Sequence, residues 1–334
     1  MQFLSSIPLV VTSALVIFSP LQEGGTTHVA QMIIRFLILA WAGGALALSI
    51  RQGRLTIPLL SVRYFVLVFL GFAVIATMFS PYAHPSRQWL FTIICYATLF
   101  YLLVSFVDRW EHVHTLTIVV VLMGVGEAAL TILQGLVWND MRPSGTFFNP
   151  NFLAGYLAVS WAILLSAAVY GYRRTAALHW LPISPTLWWF GVGASLGSLF
   201  LAVLLTQSRG GMIVVLVATV FIVMARYGWK VAGSCLVLLM VGGLLIPTPL
   251  RERVQAEHQQ NPVSYARLQM WQGALTQMAE HPLGIGLGLY QYTYPRYAFP
   301  VEGEIAWYGK VAQSPPNDCL QMAIELGVGA LLLF

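Results

Sequence analysis

Three short stretches place arginine, asparagine, serine or proline directly ahead of an apolar run: "RPSGTFFNPN" (142–151), "TQSRGG" (206–211) and "SPPNDCLQ" (314–321). Pro150 stands where a first-turn proline is tolerated, with Asn149 placed to cap. Thr206 or Ser208 can cap a helix starting near Arg209, and Asn317 or Asp318 can cap one starting near residue 318. A helix start presents unpaired N–H groups and the positive end of the helix dipole, and phosphates bind there readily. Arg142 and Arg209 lie in these turns, and Arg267 follows in "SYARLQMW". Guanidinium forks bind phosphate oxygens in pairs, more strongly where water is excluded. The candidate substrate-binding set is therefore Arg142, Asn149, Asn151, Arg209, Arg267 and Asn317, and its chemistry is to hold an anion and stabilise charge developing on it. For each arginine taken alone, the competing reading is a side chain that snorkels to lipid headgroups.

The elements that position these residues follow from the solvent. Hydrophobic residues make up 58% of the 334 and charged residues 9%, against roughly 25% charged in an average soluble domain. With a mean hydropathy of +0.76, the chain reads as an all-α polytopic membrane protein. Apolar runs of bilayer length fall at about 3–19, 29–50, 58–79, 89–107, 115–137, 151–170, 187–205, 211–225 and 231–246, and a tenth begins near 320. About ten transmembrane helices in one membrane domain, residues 1–334, are expected. The last run ends with the sequence, so the carboxyl end reads as truncated. Cys95, Cys235 and Cys319 are scattered and form neither a disulfide framework nor a zinc site. The formal net charge of +5 does not point to nucleic acid.

Loop charge sets the orientation. The even-numbered loops hold Arg51, Arg54, Arg63, Arg109, Arg173, Arg174, Arg226 and Lys230, whereas the odd-numbered loops hold Arg87, Arg142 and Arg209. By the positive-inside rule the amino terminus is cytoplasmic and the turns with Arg142 and Arg209 face outward. Residues 247–319 then form a large extracytoplasmic loop. Within it Leu268, Trp271, Leu275 and Met278 recur at helical spacing, as in an amphipathic helix lying on the membrane surface. Tyr290, Tyr292, Tyr294, Tyr297, Phe299, Trp307 and Tyr308 crowd the following segment and read either as an interfacial aromatic belt or as a sugar-stacking surface. "GIGLG" (284–288) lacks the context of a nucleotide fingerprint and reads as a flexible turn. Inside the membrane Arg35 and Glu127 lie at similar depth and are expected to form an ion pair, with a proton or ion relay as the rival.

In order along the chain, "RPSGTFFNPNFLAGYL", "TQSRGGM", the arginine of "SYARLQMW", "HPLGIGLGLY" and "NDCLQMAIELG" resemble the O-antigen ligase superfamily of membrane glycan transferases. The resemblance implies glycan transfer from an undecaprenyl diphosphate carrier to a hydroxyl acceptor outside the bacterial inner membrane. The acceptor would be a glycan, a lipid A core or a protein, and the other partners membrane lipids. No cofactor, metal or nucleic acid is implied. The family's paired arginines map onto Arg209 and Arg267, where they hold the diphosphate. The histidine that relatives carry before the Asn of "NDCLQ" is Pro316 here, which leaves Asp318 as the candidate base, with His84 and His281 as outward alternatives. A non-catalytic transporter or polyprenyl-lipid-binding protein on the same scaffold is the rival class.

Overall fold

The computed structural model describes residues 2–51, 53, 62–107, 109–170, 184–245, 266–297, 315 and 317–333. Among these residues there is no strand, and only one isolated bridge joins Glu23 to Phe147. Among the described residues nine apolar helices follow the first nine runs: α1 (Gln2–Leu21), α2 (His28–Arg51), α3 (Arg63–Met78), α4 (Ala83–Phe106), α5 (Trp110–Leu136), α6 (Pro150–Val169), α7 (Pro185–Leu205), α8 (Arg209–Tyr227) and α9 (Trp229–Leu245). Of these, α2 and α4 to α8 are long and apolar enough to cross a membrane by length and composition. The protein is an all-α polytopic membrane protein. Among the described residues three further α-helices follow: α10 (Ala266–Glu280), the short α11 (Tyr290–Thr293) and α12 (Asp318–Leu326). The chain divides into two compact units, residues 1–43 with 103–251 and residues 44–102 with 252–334.

In the first unit α5, α6, α7 and α8 share a core that includes Ala128, Leu153, Leu157, Trp161, Leu199, Val203 and Val215. Small residues let the helices approach, as they do in lipid, where apolar burial alone gives little drive. A Cβ on Gly211 of α8 would lie 2.6 Å from Ala154 Cβ on α6. Lower down the same pair, Trp161 Nε1 donates to Thr219 Oγ1 at 2.9 Å. The two contacts advance in the same direction along both helices, so α6 and α8 run parallel and begin side by side. Large apolar side chains such as Phe36, Phe190 and Phe221 point outward, about 70% exposed, as a hydrocarbon solvent permits.

Glu127 departs from its expected partner. Its Oε2 accepts the Thr146 N–H at 3.0 Å and its Oε1 lies 2.6 Å from the Thr146 hydroxyl, while Arg35 Nη2 donates to Gln31 Oε1 at 3.0 Å. Seven residues along the same face of α5, Gln134 grips the Gly145 peptide, donating to its carbonyl at 2.9 Å and accepting its N–H at 2.8 Å. A buried carboxylate needs donors of some kind, and the loop ahead of α6 brings them. Glu127 therefore holds the loop rather than a second ion.

In the second unit the "GIGLG" turn is pinned rather than loose. Glu325, only 3% exposed, accepts the Gly288 N–H at 2.7 Å, the Tyr290 N–H at 3.4 Å and Gln321 Nε2 at 3.3 Å. Ile285 and Gly286 donate their N–H groups to the carbonyls of Ile324 and Glu325, and Val328 donates to Pro282. Gly288 has φ +72° and faces the Trp89 ring with no room for a Cβ. The tenth apolar run is thereby interrupted: α12 has nine residues, about 14 Å at 1.5 Å per residue, and stops at Gly327 with φ +91° before a 3-10 turn, Val328–Leu333.

α10 forms where the amphipathic helix is expected, with a different buried face. Ala274 and Gln277 are fully buried while Leu275 is 47% exposed. The reason is its partner, because Ala274 packs with Ile285, Leu289, Tyr290, Tyr294 and Ile324. Tyr290 and Tyr294 stack at 4.9 Å inside this core and serve as neither belt nor sugar platform; burial raises both phenols above their ordinary range. Tyr292 is exposed, and Phe299, Trp307 and Tyr308 lie outside the described residues, as does most of 247–319.

These two anchors predict a thermal-melting series on detergent-purified protein. Gly145 has φ +61°, and a Cβ there would collide with Glu127 Oε2, so Gly145→Ala is expected to lose about 1–2 kcal/mol. Glu325→Gln, which turns one acceptor of a backbone N–H into a donor, is expected to lose about 1–3 kcal/mol. Gly155→Ala, at a helical glycine with open space around it, is expected to lose nothing. Equal melting of all three variants would contradict both anchors.

Candidate functional site

The "TQSRGG" turn is built from buried polar groups. α7 closes as the Thr206 N–H donates to Ala202 O at 3.0 Å and the Thr206 hydroxyl to Val203 O at 2.7 Å. Gln207 adopts φ +54°, a left-handed conformation that costs a non-glycine residue roughly 1–2 kcal/mol. Its side chain offsets that cost by donating from Nε2 to Met141 O at 2.6 Å. Ser208 then caps α8, its Oγ accepting the Gly211 N–H at 3.3 Å. Thr206, Gln207 and Ser208 are all buried, and Arg209, the first residue of α8, is exposed. Of the two possible caps, the structure uses Ser208.

The start of α6 is built the same way and tied to this turn. Asn149 caps it, Oδ1 accepting the Asn151 N–H at 2.9 Å, with Pro150 in the first turn. Arg142 bridges the two helix starts. Its Nε donates to Thr206 O at 3.1 Å and its Nη2 to Asn151 Oδ1 at 2.9 Å. Four of the residues singled out from sequence, Arg142, Asn149, Asn151 and Arg209, thus come together at one end of the first unit. Two parallel helix starts side by side concentrate unpaired N–H groups and positive dipole ends, with the Arg209 cation beside them. Such an end can hold an anion. In the structure Arg142 bonds to Asn151 and to the turn.

The second unit carries the remaining residues. Asn317, not Asp318, caps α12, Oδ1 accepting the Leu320 N–H at 3.1 Å. Asp318 is exposed in the first turn. Arg267 falls in the first turn of α10, and Pro316 lies outside the described residues. His84 and His281 are exposed, with His84 Nε2 3.1 Å from Gln88 Nε2. Among the described residues no group of His, Cys, Asp and Glu is arranged to hold a metal.

Two residues that matter to this architecture were not read from sequence. Glu325 carries the second unit's loop, and Gln207 carries the left-handed corner. The signal for Glu325 was a lone carboxylate inside an apolar run; its partners, the N–H groups of a glycine-rich loop, lie 37 residues earlier in the chain. Gln207 gave no signal, since nothing in the residue type marks a left-handed turn.

No curated protein matches this chain. Residues 194–334, from within α7 through α12, match the family model described as O-antigen ligase. That stretch contains "TQSRGG", Arg267, "GIGLG" and "NDCLQMAIELG" in the order read from the sequence. Over residues 194–334 the chain is therefore similar to the O-antigen ligase family, a similarity that supports glycan transfer in general.

Proposed function

We propose that this protein transfers a glycan from an undecaprenyl diphosphate carrier to a hydroxyl acceptor at the outer face of the bacterial inner membrane. The acceptor is the hydroxyl of another glycan, a lipid A core or a protein. In this reading the amino terminus is cytoplasmic and the stretch 247–319 lies outside. The observation that carries it is the pair of parallel helix starts, α6 and α8, locked together through Arg142 with Arg209 exposed at the tip. It lies partly within the stretch that matches the O-antigen ligase family.

The chemistry asks for that arrangement. The acceptor oxygen forms a bond to the anomeric carbon, the bond from that carbon to the diphosphate breaks, and its electron pair goes to the leaving diphosphate. Fixed N–H groups and guanidinium stabilise that growing charge more in the transition state than in the ground state, which is the condition for acceleration. Arg209 takes the phosphate oxygens, and Arg267 is assigned the same role by resemblance. Arg142, Asn149 and Asn151 keep the α6 and α8 starts in place, and Asn317 does so for α12. Asp318, exposed at the start of α12, is assigned the departing proton of the acceptor.

Lysine at position 209 or 267 keeps the charge and loses the fork. Arg209→Lys and Arg267→Lys are expected to weaken binding of the lipid diphosphate about tenfold or more with normal expression and membrane insertion. Unchanged affinity in both variants would return these arginines to lipid headgroups. Asp318→Asn leaves the Asn317 cap intact and removes the proton acceptor. Transfer is expected to slow by about 10²–10⁴-fold with donor binding and melting unchanged, whereas full activity would eliminate Asp318 as base.

A further inference from the structure

A cleft in the second unit has a lining that neither the diphosphate chemistry nor the fold uses. It is open to solvent, has a volume of about 610 Å3, and is lined by Gly273, Thr276, Glu280, His281, Arg296 and Tyr297. Cavities that bind small molecules run from about 300 to 1,000 Å3. Gly273, Thr276 and Glu280 lie on one face of α10, and Arg296 and Tyr297 come from the 3-10 turn Tyr294–Arg296 and the residue after it. The absence of a side chain on Gly273 sets the spacing, since a Cβ there would lie 2.8 Å from Tyr297 O.

Both walls are fixed from behind. Ala274 packs on the stacked pair Tyr290 and Tyr294, and Gln277, fully buried, donates from Nε2 to Thr293 Oγ1. At the mouth the Tyr297 hydroxyl donates to Glu280 Oε2 at 2.6 Å, which sets the angle of the phenol ring. That hydrogen bond also raises the phenol above its ordinary range, so the hydroxyl remains a donor. Glu280 Oε1, the His281 ring and the Arg296 guanidinium have no side-chain hydrogen bond to the described residues. The cleft thus offers an acceptor carboxylate, a cation with several donors, an imidazole and an aromatic ring, carried on two walls held from behind.

This set discriminates among ligand classes. A lipid tail would leave charged groups desolvated without partners. A phosphate would meet the Glu280 carboxylate beside Arg296. Neighbouring hydroxyls of a pyranose can donate to the carboxylate and accept from the guanidinium, both charge-assisted contacts, while the ring's C–H face lies on Tyr297. We propose that this cleft is a saccharide subsite for a neutral pyranose carrying adjacent hydroxyls. The assignment rests on the glycan-transfer reading and names where one sugar of the glycan or of its acceptor is held.

Saturation-transfer NMR on the full chain in nanodiscs, with glucose, galactose and N-acetylglucosamine as probes and inorganic phosphate as control, tests it. At least one sugar is expected to bind the wild type. That sugar's affinity should fall about tenfold in Glu280→Gln and in Arg296→Lys, with melting unchanged because both side chains are exposed. Thr276→Trp, which fills the cleft and removes no charge, is expected to abolish the signal. No bound sugar, equal affinity in all variants, or phosphate bound in preference to every sugar would overturn the proposal. Binding of undecaprenyl diphosphate, measured in parallel, separates the two readings. Its absence in a wild type that binds sugar through the cleft removes the donor assignment and leaves the subsite standing.

Discussion

The guanidinium of Arg142, bonded to Thr206 O and to Asn151 Oδ1, is the interaction on which the arrangement of the first unit depends. It ties the end of α7 to the beginning of α6, and the turn it holds is the beginning of α8. A bilayer-facing bundle cannot leave backbone groups unmatched, so the three-residue corner Thr206–Ser208 between two apolar helices must satisfy its own polar atoms. Thr206, Gln207 and Ser208 do so while buried. The backbone of Arg209 then emerges at a place set by these contacts, with its side chain exposed.

The same logic operates in the second unit with the sign reversed. There a buried carboxylate, Glu325, gathers backbone N–H groups from a glycine-rich loop. The motifs "HPLGIGLGLY" and "NDCLQMAIELG", separated in sequence by 26 residues from Gln291 to Pro316, are two halves of one clamp. The loop's glycines permit the close approach, and the carboxylate makes it worthwhile. α10 and the stacked tyrosines close the other side, leaving the cleft between Glu280 and Arg296 at the surface of this unit.

What could be read from the residues follows from which forces are local. Apolar runs, the caps Asn149, Ser208 and Asn317, and the first-turn Pro150 are dictated by hydropathy and by hydrogen bonding within a few residues, and they stand in the structure at or near the expected places. The partners of charged groups are tertiary. Glu127 reaches Thr146 rather than Arg35 because a loop, not a neighbouring helix, supplies its donors. Arg142 reads in the sequence as a ligand-binding arginine, and residue type and position do not reveal that its guanidinium also grips a carbonyl 64 residues away. The buried face of α10 was missed for a related reason. Gln277 is polar in sequence and fully buried in the fold because Thr293 accepts its amide N–H.

In the proposed function the paired starts of α6 and α8 receive a lipid diphosphate. Gly210 directly follows Arg209 and has open space around it, so a photoreactive phenylalanine analogue can be placed there without disturbing the turn. Illumination of membranes loaded with undecaprenyl-diphosphate-linked glycan should crosslink the lipid to that position, and excess free undecaprenyl diphosphate should suppress the adduct far better than undecaprenyl monophosphate. No adduct, or one that both lipids compete away equally, would contradict the account.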